Sequence, residues 1–188
     1  MRIRFDTFDV TEWMQTLANH FETDLSVNGR EYRIRLPDQY GKGQIKAFDL
    51  PYGLRLFLMD CTLREDLHLE NRNGDDNPLH FNFCIKGVIR HLPGLESDRA
   101  YRLETFEGSI ISVPRCHPQT FIFKKDKKIL YTNQQIDRSE YLKRAGNSHH
   151  EMPDRLLKVF EDEESEMLFQ FENSYSIPMA ECIKSLAN

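Results

Sequence analysis

The 188-residue chain lacks any closely spaced pair of cysteines. Cys61, Cys84, Cys116 and Cys182 lie far apart with no CxxC, which argues against a zinc ribbon or a thioredoxin-type site and for reduced thiols in a cytoplasmic protein. No run approaches the roughly 18 consecutive apolar residues of a membrane span, and the N-terminal MRIRFDTFDV has no apolar signal core. Basic excess is missing as well. Net charge is −5, and residues 161–188 hold seven acids (Glu161, Asp162, Glu163, Glu164, Glu166, Glu172, Glu181) against the single base Lys184. Duplex DNA, whose binding needs clustered Lys and Arg to release counterions, is therefore not an expected partner of this chain. GxSxG, HExxH and EF-hand loops are absent, and Gly41-Lys42-Gly43 lacks the spacing of a P-loop.

What is present is aromatic and periodic. Apolar residues make up 39%, with 13 Phe and 7 Tyr, too aromatic for a disordered chain and enough for one unstapled core. Val10, Trp13, Met14, Leu17 and Phe21 form the stripe of an amphipathic helix, with Asp9 or Thr11 as its cap. From about residue 25 to 133 the period shortens to two. Tyr32, Ile34 and Leu36 alternate with arginines; Leu54, Leu56 and Leu58 alternate with Arg55, Phe57 and Met59; Phe81, Phe83 and Ile85 alternate with His80, Asn82 and Cys84. Turn signals every ten residues or so, including Asn73-Gly74, make this an antiparallel β barrel or sandwich. Past Asp137 the period is helical again. Short helices are expected at Asp137-Arg138-Ser139-Glu140, after Pro153, over about Ser165–Phe171, and from Ser176. The expected organisation is thus 1–24 strand and helix, 25–133 barrel, and 134–188 helical annex.

Several groupings invite chemistry and are better read without it. Adjacent His149-His150-Glu151 rarely aim at one ion. Neighbours Cys116 and His117 point to opposite faces if they lie in a strand, so a nucleophile–base pair is not expected. The run Glu161-Asp162-Glu163-Glu164 reads as a solvated helix start whose carboxylates complement the dipole.

One pattern says more. Gly108-Ser-Ile-Ile-Ser-Val-Pro114-Arg-Cys116-His117 reads G-x5-P-x-C-H. It resembles the second motif of cupin barrels, with Cys116 at the turn glycine and His117 one place early. Gly87 matches the glycine closing the first cupin motif. The metal-binding Glu of that motif falls at His80, and its HxH pair near Asn73 and Asp75. The resemblance thus implies a cupin-like barrel without its metal ligands, so neither a metal nor another cofactor is expected. Three further stretches resemble the N-terminal sensor region of AraC-family transcription regulators: Gly41-Lys-Gly43-Gln-Ile45 with Gly53-Leu-Arg-Leu; His80-Phe-Asn-Phe-Cys-Ile-Lys-Gly87; and Ser176-Ile-Pro-Met-Ala-Glu-Cys-Ile183.

That resemblance implies an α+β, mainly β fold: a cupin-like antiparallel barrel with an N-terminal helix and a C-terminal helical annex. It implies a non-enzymatic, effector-binding sensor domain that forms a homodimer and reaches DNA only through a helix-turn-helix half outside this chain. The expected effector contacts are Arg55, His80, Asn82, Cys84, Tyr101 and His117. Strand parity leaves the opposite set (Leu54, Leu56, Leu58, Phe81, Phe83) open, and core packing explains either set equally well. Ile177, Ala180, Ile183 and Leu186 form the expected dimerisation stripe. The rival readings are a stand-alone cupin enzyme of dioxygenase or isomerase type, and an interaction module with a filled barrel.

Overall fold

The computed structural model describes residues 1–72, 78–94, 100–114, 117–145, 152–162, 168–174, 180–181 and 184–185. In chain order the elements are β1 Arg2–Phe5, α1 Val10–His20, β2 Ser26–Asn28, β3 Glu31–Arg35, β4 Gly41–Leu50, β5 Leu54–Leu63 and β6 Leu67–Asn71. Then come β7 Leu79–Lys86, β8 Ile89–Leu92, β9 Tyr101–Leu103, β10 Glu107–Ser112, β11 Gln119–Phe123, β12 Lys128–Ile136, α2 Arg138–Ala145, α3 Asp154–Glu161 and β13 Phe169–Ser174. Residues 180–181 and 184–185 are also helical.

Two sheets form. One runs β13-β10-β7-β12-β5-β4-β3-β2, the other β1-β6-β11-β8-β9. From β5 onward the chain passes back and forth between them, so that β5-β12-β7-β10 and β6-β11-β8-β9 make up the two halves of an eight-stranded jelly roll, the architecture of cupins. All pairings are antiparallel except β1 on β6. The fold is α+β, mainly β, and cupin-like.

The N-terminal helix forms where its stripe requires. Asp9 is the cap, its carboxylate accepting from the Glu12 amide at 2.9 Å. Thr11 instead bonds the Tyr32 hydroxyl at 3.0 Å. Eleven residues are too few for a stable isolated helix, and burial makes up the difference. Met14 and Leu17 are wholly buried, and Trp13 stacks on Phe5 at 4.1 Å and meets the tilted ring of Phe57 at 4.4 Å. Each large side chain so buried contributes roughly 1.5–3 kcal/mol.

Strand β7 is inaccessible on both faces, which is why its sequence did not reveal the inward one. His80, Asn82 and Cys84 are buried towards the second sheet, whereas Phe81 lies on the outer face. There Leu79, Phe81, Leu54, Ile110 and Ile136 pack against Tyr141 and Leu142 of α2 and Leu156, Val159 and Phe160 of α3. Gly87 closes β7 at φ +108°, and a Cβ there would lie 2.9 Å from the Lys128 carbonyl. Glycine is required by both the backbone angle and the space.

The annex departs from expectation in two places. Of the helix expected over Ser165–Phe171, residues 165–167 lie outside the described residues and the remainder is not helical: residues 169–174 are strand β13, antiparallel to β10 with Phe171 opposite Ile110. Backbone partners on the open edge of β10 outweigh a weak local helical spacing. Nor do the first two residues of the acidic run open a helix: Glu161 ends α3 and Asp162 is its C-cap, at the wrong end of the dipole for the stabilisation expected of them, while Glu163 and Glu164 lie outside the described residues. The helices after Asp137 and Pro153 do form, the first capped by the Asp137 carboxylate on the Glu140 amide at 2.9 Å.

Candidate functional site: a polar seam inside the barrel

Inward alternation on five strands gathers amides and imidazoles between the sheets. On one sheet Asn82 stands opposite Ser109 on β10 and Asn133 on β12, with His80 opposite Gln135 one step along. On the other, Gln119 stands opposite Asn71, and Phe121 lies between Leu69 and His91. His80, Asn82, His91, Ser109, Gln119, Asn133 and Gln135 are all buried.

Gln119 joins the two sheets. Its Nε2 donates to His80 Nε2 at 2.9 Å, and its Oε1 accepts from His91 Nε2 at 3.1 Å. The seam continues as Gln135 Nε2 donates to Asn133 Oδ1 at 3.0 Å and Asn133 Nδ2 to Asn82 Oδ1 at 2.8 Å. Asn82 Oδ1 also accepts from the Tyr131 hydroxyl, while Asn82 Nδ2 donates to Ser109 Oγ at 3.3 Å. With these roles His91 Nδ1 is an acceptor, and it has no hydrogen-bond partner; nor has Gln135 Oε1. Buried acceptors left open each cost about 1–3 kcal/mol, so they mark places where a donor is missing.

The titratable side chains of this interior are neutral at ordinary pH. Burial lowers the His80 pKa to about 3, with His91, Arg138 and Arg55 reinforcing the shift and the Asn133 hydrogen bond opposing it. Burial lowers His91 to about 4, against the Gln119 hydrogen bond. Desolvation raises the Cys84 thiol to about 12 and the Tyr131 phenol well above its usual value.

Two small cavities flank the seam. One is lined by Asn82, His91, Tyr101, Ser109, Phe121 and Tyr131 among others, with about 10 Å³ of room for a water centre. The other lies between Trp13, Phe57, Asn71, Phe121, Asn133 and Gln135, with about 20 Å³. Each holds about one water. The interior has the polarity of a binding site and little free room within it.

Of the expected contact residues, the structure brings His80, Asn82 and Tyr101 to this seam, Tyr101 lying over His91 at 6.4 Å between ring centroids. Arg55 stands opposite Gln135 on the same sheet face and is half-buried. Cys84 belongs to the apolar core, its Sγ donating to the Gly87 carbonyl at 3.5 Å. His117 is half-buried ahead of β11, while Gln119, two residues on, is wholly buried in the seam. Cys116 and the His149-His150-Glu151 group lie outside the described residues, as do Ile177, Ile183 and Leu186; Ala180 is buried. His91, Gln119, Tyr131, Asn133 and Gln135 went unread in the sequence. Their signal was amides and a histidine at alternate positions of otherwise apolar strands, Gln119-Thr-Phe121 and Tyr131-Thr-Asn133-Gln-Gln135.

The metal implied by a cupin barrel does not fit these residues. The carboxylate position is His80, whose Nε2 accepts from Gln119 and whose protonated Nδ1 then donates to Asn133 Oδ1 at 3.5 Å. The residue inward on β11 is an amide, and Asn73 and Asp75 lie outside the described residues. Among the described residues no three His, Cys, Asp or Glu side chains cluster as a metal set. After incubation with Mn, Fe, Ni and Zn salts and desalting, elemental analysis should find far less than one metal per chain. A full equivalent lost in His80→Ala would overturn this.

No family model matches the chain, and no curated protein matches it in sequence. Among solved structures it is similar to an AraC-like transcriptional activator, CuxR, at 10% identity and TM-score 0.43 over 97% of this chain and 66% of that one. It is also similar to a nickel(II)-bound bacterial pirin, YhhW of Escherichia coli, at 8% identity and TM-score 0.42 over 83% of this chain and 56% of that one. Oxalate decarboxylase of Bacillus subtilis gives 14% and 0.33 over 83% and 41%. The chain spans less than two thirds of each of these. Its strand order, rather than these distant likenesses, establishes the cupin-like barrel.

Proposed function

We propose that the chain is the effector-sensing, dimerising regulatory domain of an AraC-like transcription regulator, cytoplasmic and not itself a catalyst. The observation that carries this reading is the buried seam, its two imidazoles neutral, with two open acceptors, His91 Nδ1 and Gln135 Oε1, beside small cavities. Such acceptors suit a small molecule bearing hydroxyl or amide donors. Among the described residues, the hydrogen-bonded seam itself includes no carboxylate, although Glu172 lines the cavity beside His91, and the thiol near it, Cys84, has its pKa raised to about 12.

This interior, with little free room, is then the effector-free state. An effector would open the seam by binding the open arrangement better than the closed one. Strand β10 carries the consequence outward. Its Ser109 faces the seam, and its Ser112 holds Arg138 at the start of α2, which also donates to the Asp162 carbonyl at the end of α3. Dimerisation through Ile177, Ala180, Ile183 and Leu186 belongs to the same proposal.

Imidazole ¹⁵N NMR on the intact chain tests it, with glycerol, erythritol and acetamide as probes. At least one should shift the His91 ring nitrogens in a saturable way, and His91→Phe should abolish the response in the remaining seam signals. If none does and a full equivalent of metal loads, the enzyme reading replaces this one. If none does and no metal loads, the barrel is a filled interaction module.

A further inference from the structure

A different part of the molecule carries an independent site. Lys86, Gly87, Val88, Arg90, Arg102, Thr105, Lys124, Lys127 and Lys128 line a concavity of about 760 Å³ at one end of the barrel. It is built by the β7–β8, β9–β10 and β11–β12 turns. Its volume falls within the roughly 300–1,000 Å³ typical of ligand sites. Among the described residues, six of the nine that line it are cationic and none is acidic.

The neighbouring acids neutralise only half of them. Asp66 holds Lys124 at 2.5 Å, Glu104 holds Arg102 at 3.0 Å, and Asp60 pairs with Lys128. Lys86, Arg90 and Lys127 have no ion pair among the described residues. Register makes the concentration costly: Arg90 on β8 stands directly opposite Arg102 on β9. Residues so paired have Cβ atoms about 4.5–5.5 Å apart, and like charges there destabilise the sheet. An anion lying across both guanidinium groups would remove that repulsion and meet two forks shaped for phosphate oxygens. Thr105 Oγ1 ties this rim together, accepting from the Gly87 amide at 3.2 Å and donating to the Gly87 carbonyl at 3.1 Å.

We propose that this groove binds a small anion carrying two or more linked phosphate groups. One phosphate would engage the arginine pair and leave Lys86 and Lys127 without a partner; a linked chain of phosphates reaches them. The occupant is a small molecule rather than nucleic acid because the chain as a whole carries a net charge of −5, which opposes a long polyanion beyond the groove.

Calorimetric titration of the intact chain with inorganic triphosphate at low salt tests the site, with orthophosphate and a duplex oligonucleotide run beside it. Triphosphate should bind at one site about tenfold or more tighter than orthophosphate and raise the melting temperature. The paired change Arg90→Gln with Lys127→Gln should weaken it about tenfold or more. The unliganded variant should melt no lower than the parent, since repulsion is removed. Lys86→Gln, at the other side of the groove, provides a second reading and should weaken binding in the same direction. No heat with millimolar triphosphate, or equal affinity in both variants, would overturn the proposal. So would an oligonucleotide that competes more strongly than triphosphate, since the groove would then be a nucleic-acid surface.

Discussion

Lowering the pH from 7 to 5 should cost the fold about 4 kcal/mol, roughly 2 kcal/mol for each of His80 and His91. Both are ordinary histidines of pKa 6.5 when unfolded, and burial lowers them to about 3 and about 4 in the folded chain. The unfolded state therefore takes up protons below pH 6.5 that the folded state refuses. Stability is fully present above 6.5 and falls with pH until His91, near 4, and then His80, near 3, titrate in place. His20 and His68, lowered mainly by desolvation, act with the same sign. Urea unfolding at pH 7, 6 and 5 measures the slope, and His91→Gln should remove about half of it. A midpoint that stays level between pH 7 and 5 would mean that the seam is hydrated or its imidazoles are charged.

The second large effect is expected at Arg138, the buried cation that fastens the annex to the barrel. Its guanidinium donates to Ser112 Oγ on β10 and to the Asp162 carbonyl at the end of α3. Hydrogen bonds to a charged group are worth roughly 1.5–3 kcal/mol each, and Arg138→Ala should cost about 3 kcal/mol at the annex. The loss should be local. Trp13, the only tryptophan, lies against Phe5 and Phe57 in the barrel, far along the chain from α2 and α3. In the variant, far-UV circular dichroism should report loss of α2 and α3 at lower urea than Trp13 fluorescence reports the barrel, whereas the parent's two curves coincide. Coincident curves in Arg138→Ala, shifted or not, would show that Arg138 does not hold the annex as a separate unit. In the regulatory reading this same strap passes strand movement to the helices, and Arg138→Ala should uncouple them.

The sequence by itself determined the elements whose signal is local. The Val10–Phe21 stripe, a cap at Asp9 or Thr11, the helix opening at Asp137 and the two-residue alternation of the barrel strands were legible because each answers to the chain's own periodicity or local capping chemistry. Only the tertiary structure decided the rest. Leu168 and Phe171 are spaced for a helix and Phe169 and Phe171 for a strand, and the free edge of β10 selected the strand. His80 and Phe81 alternate in a strand whose two faces are both covered, and the position of the second sheet made His80 interior. The bond from Gln119 to His80 crosses between the sheets, and His91 bonds the same Gln119 amide from the neighbouring strand of its own sheet. No periodicity encodes that meeting, because alternation fixes which residues share a face and says nothing about which faces will oppose each other across a core.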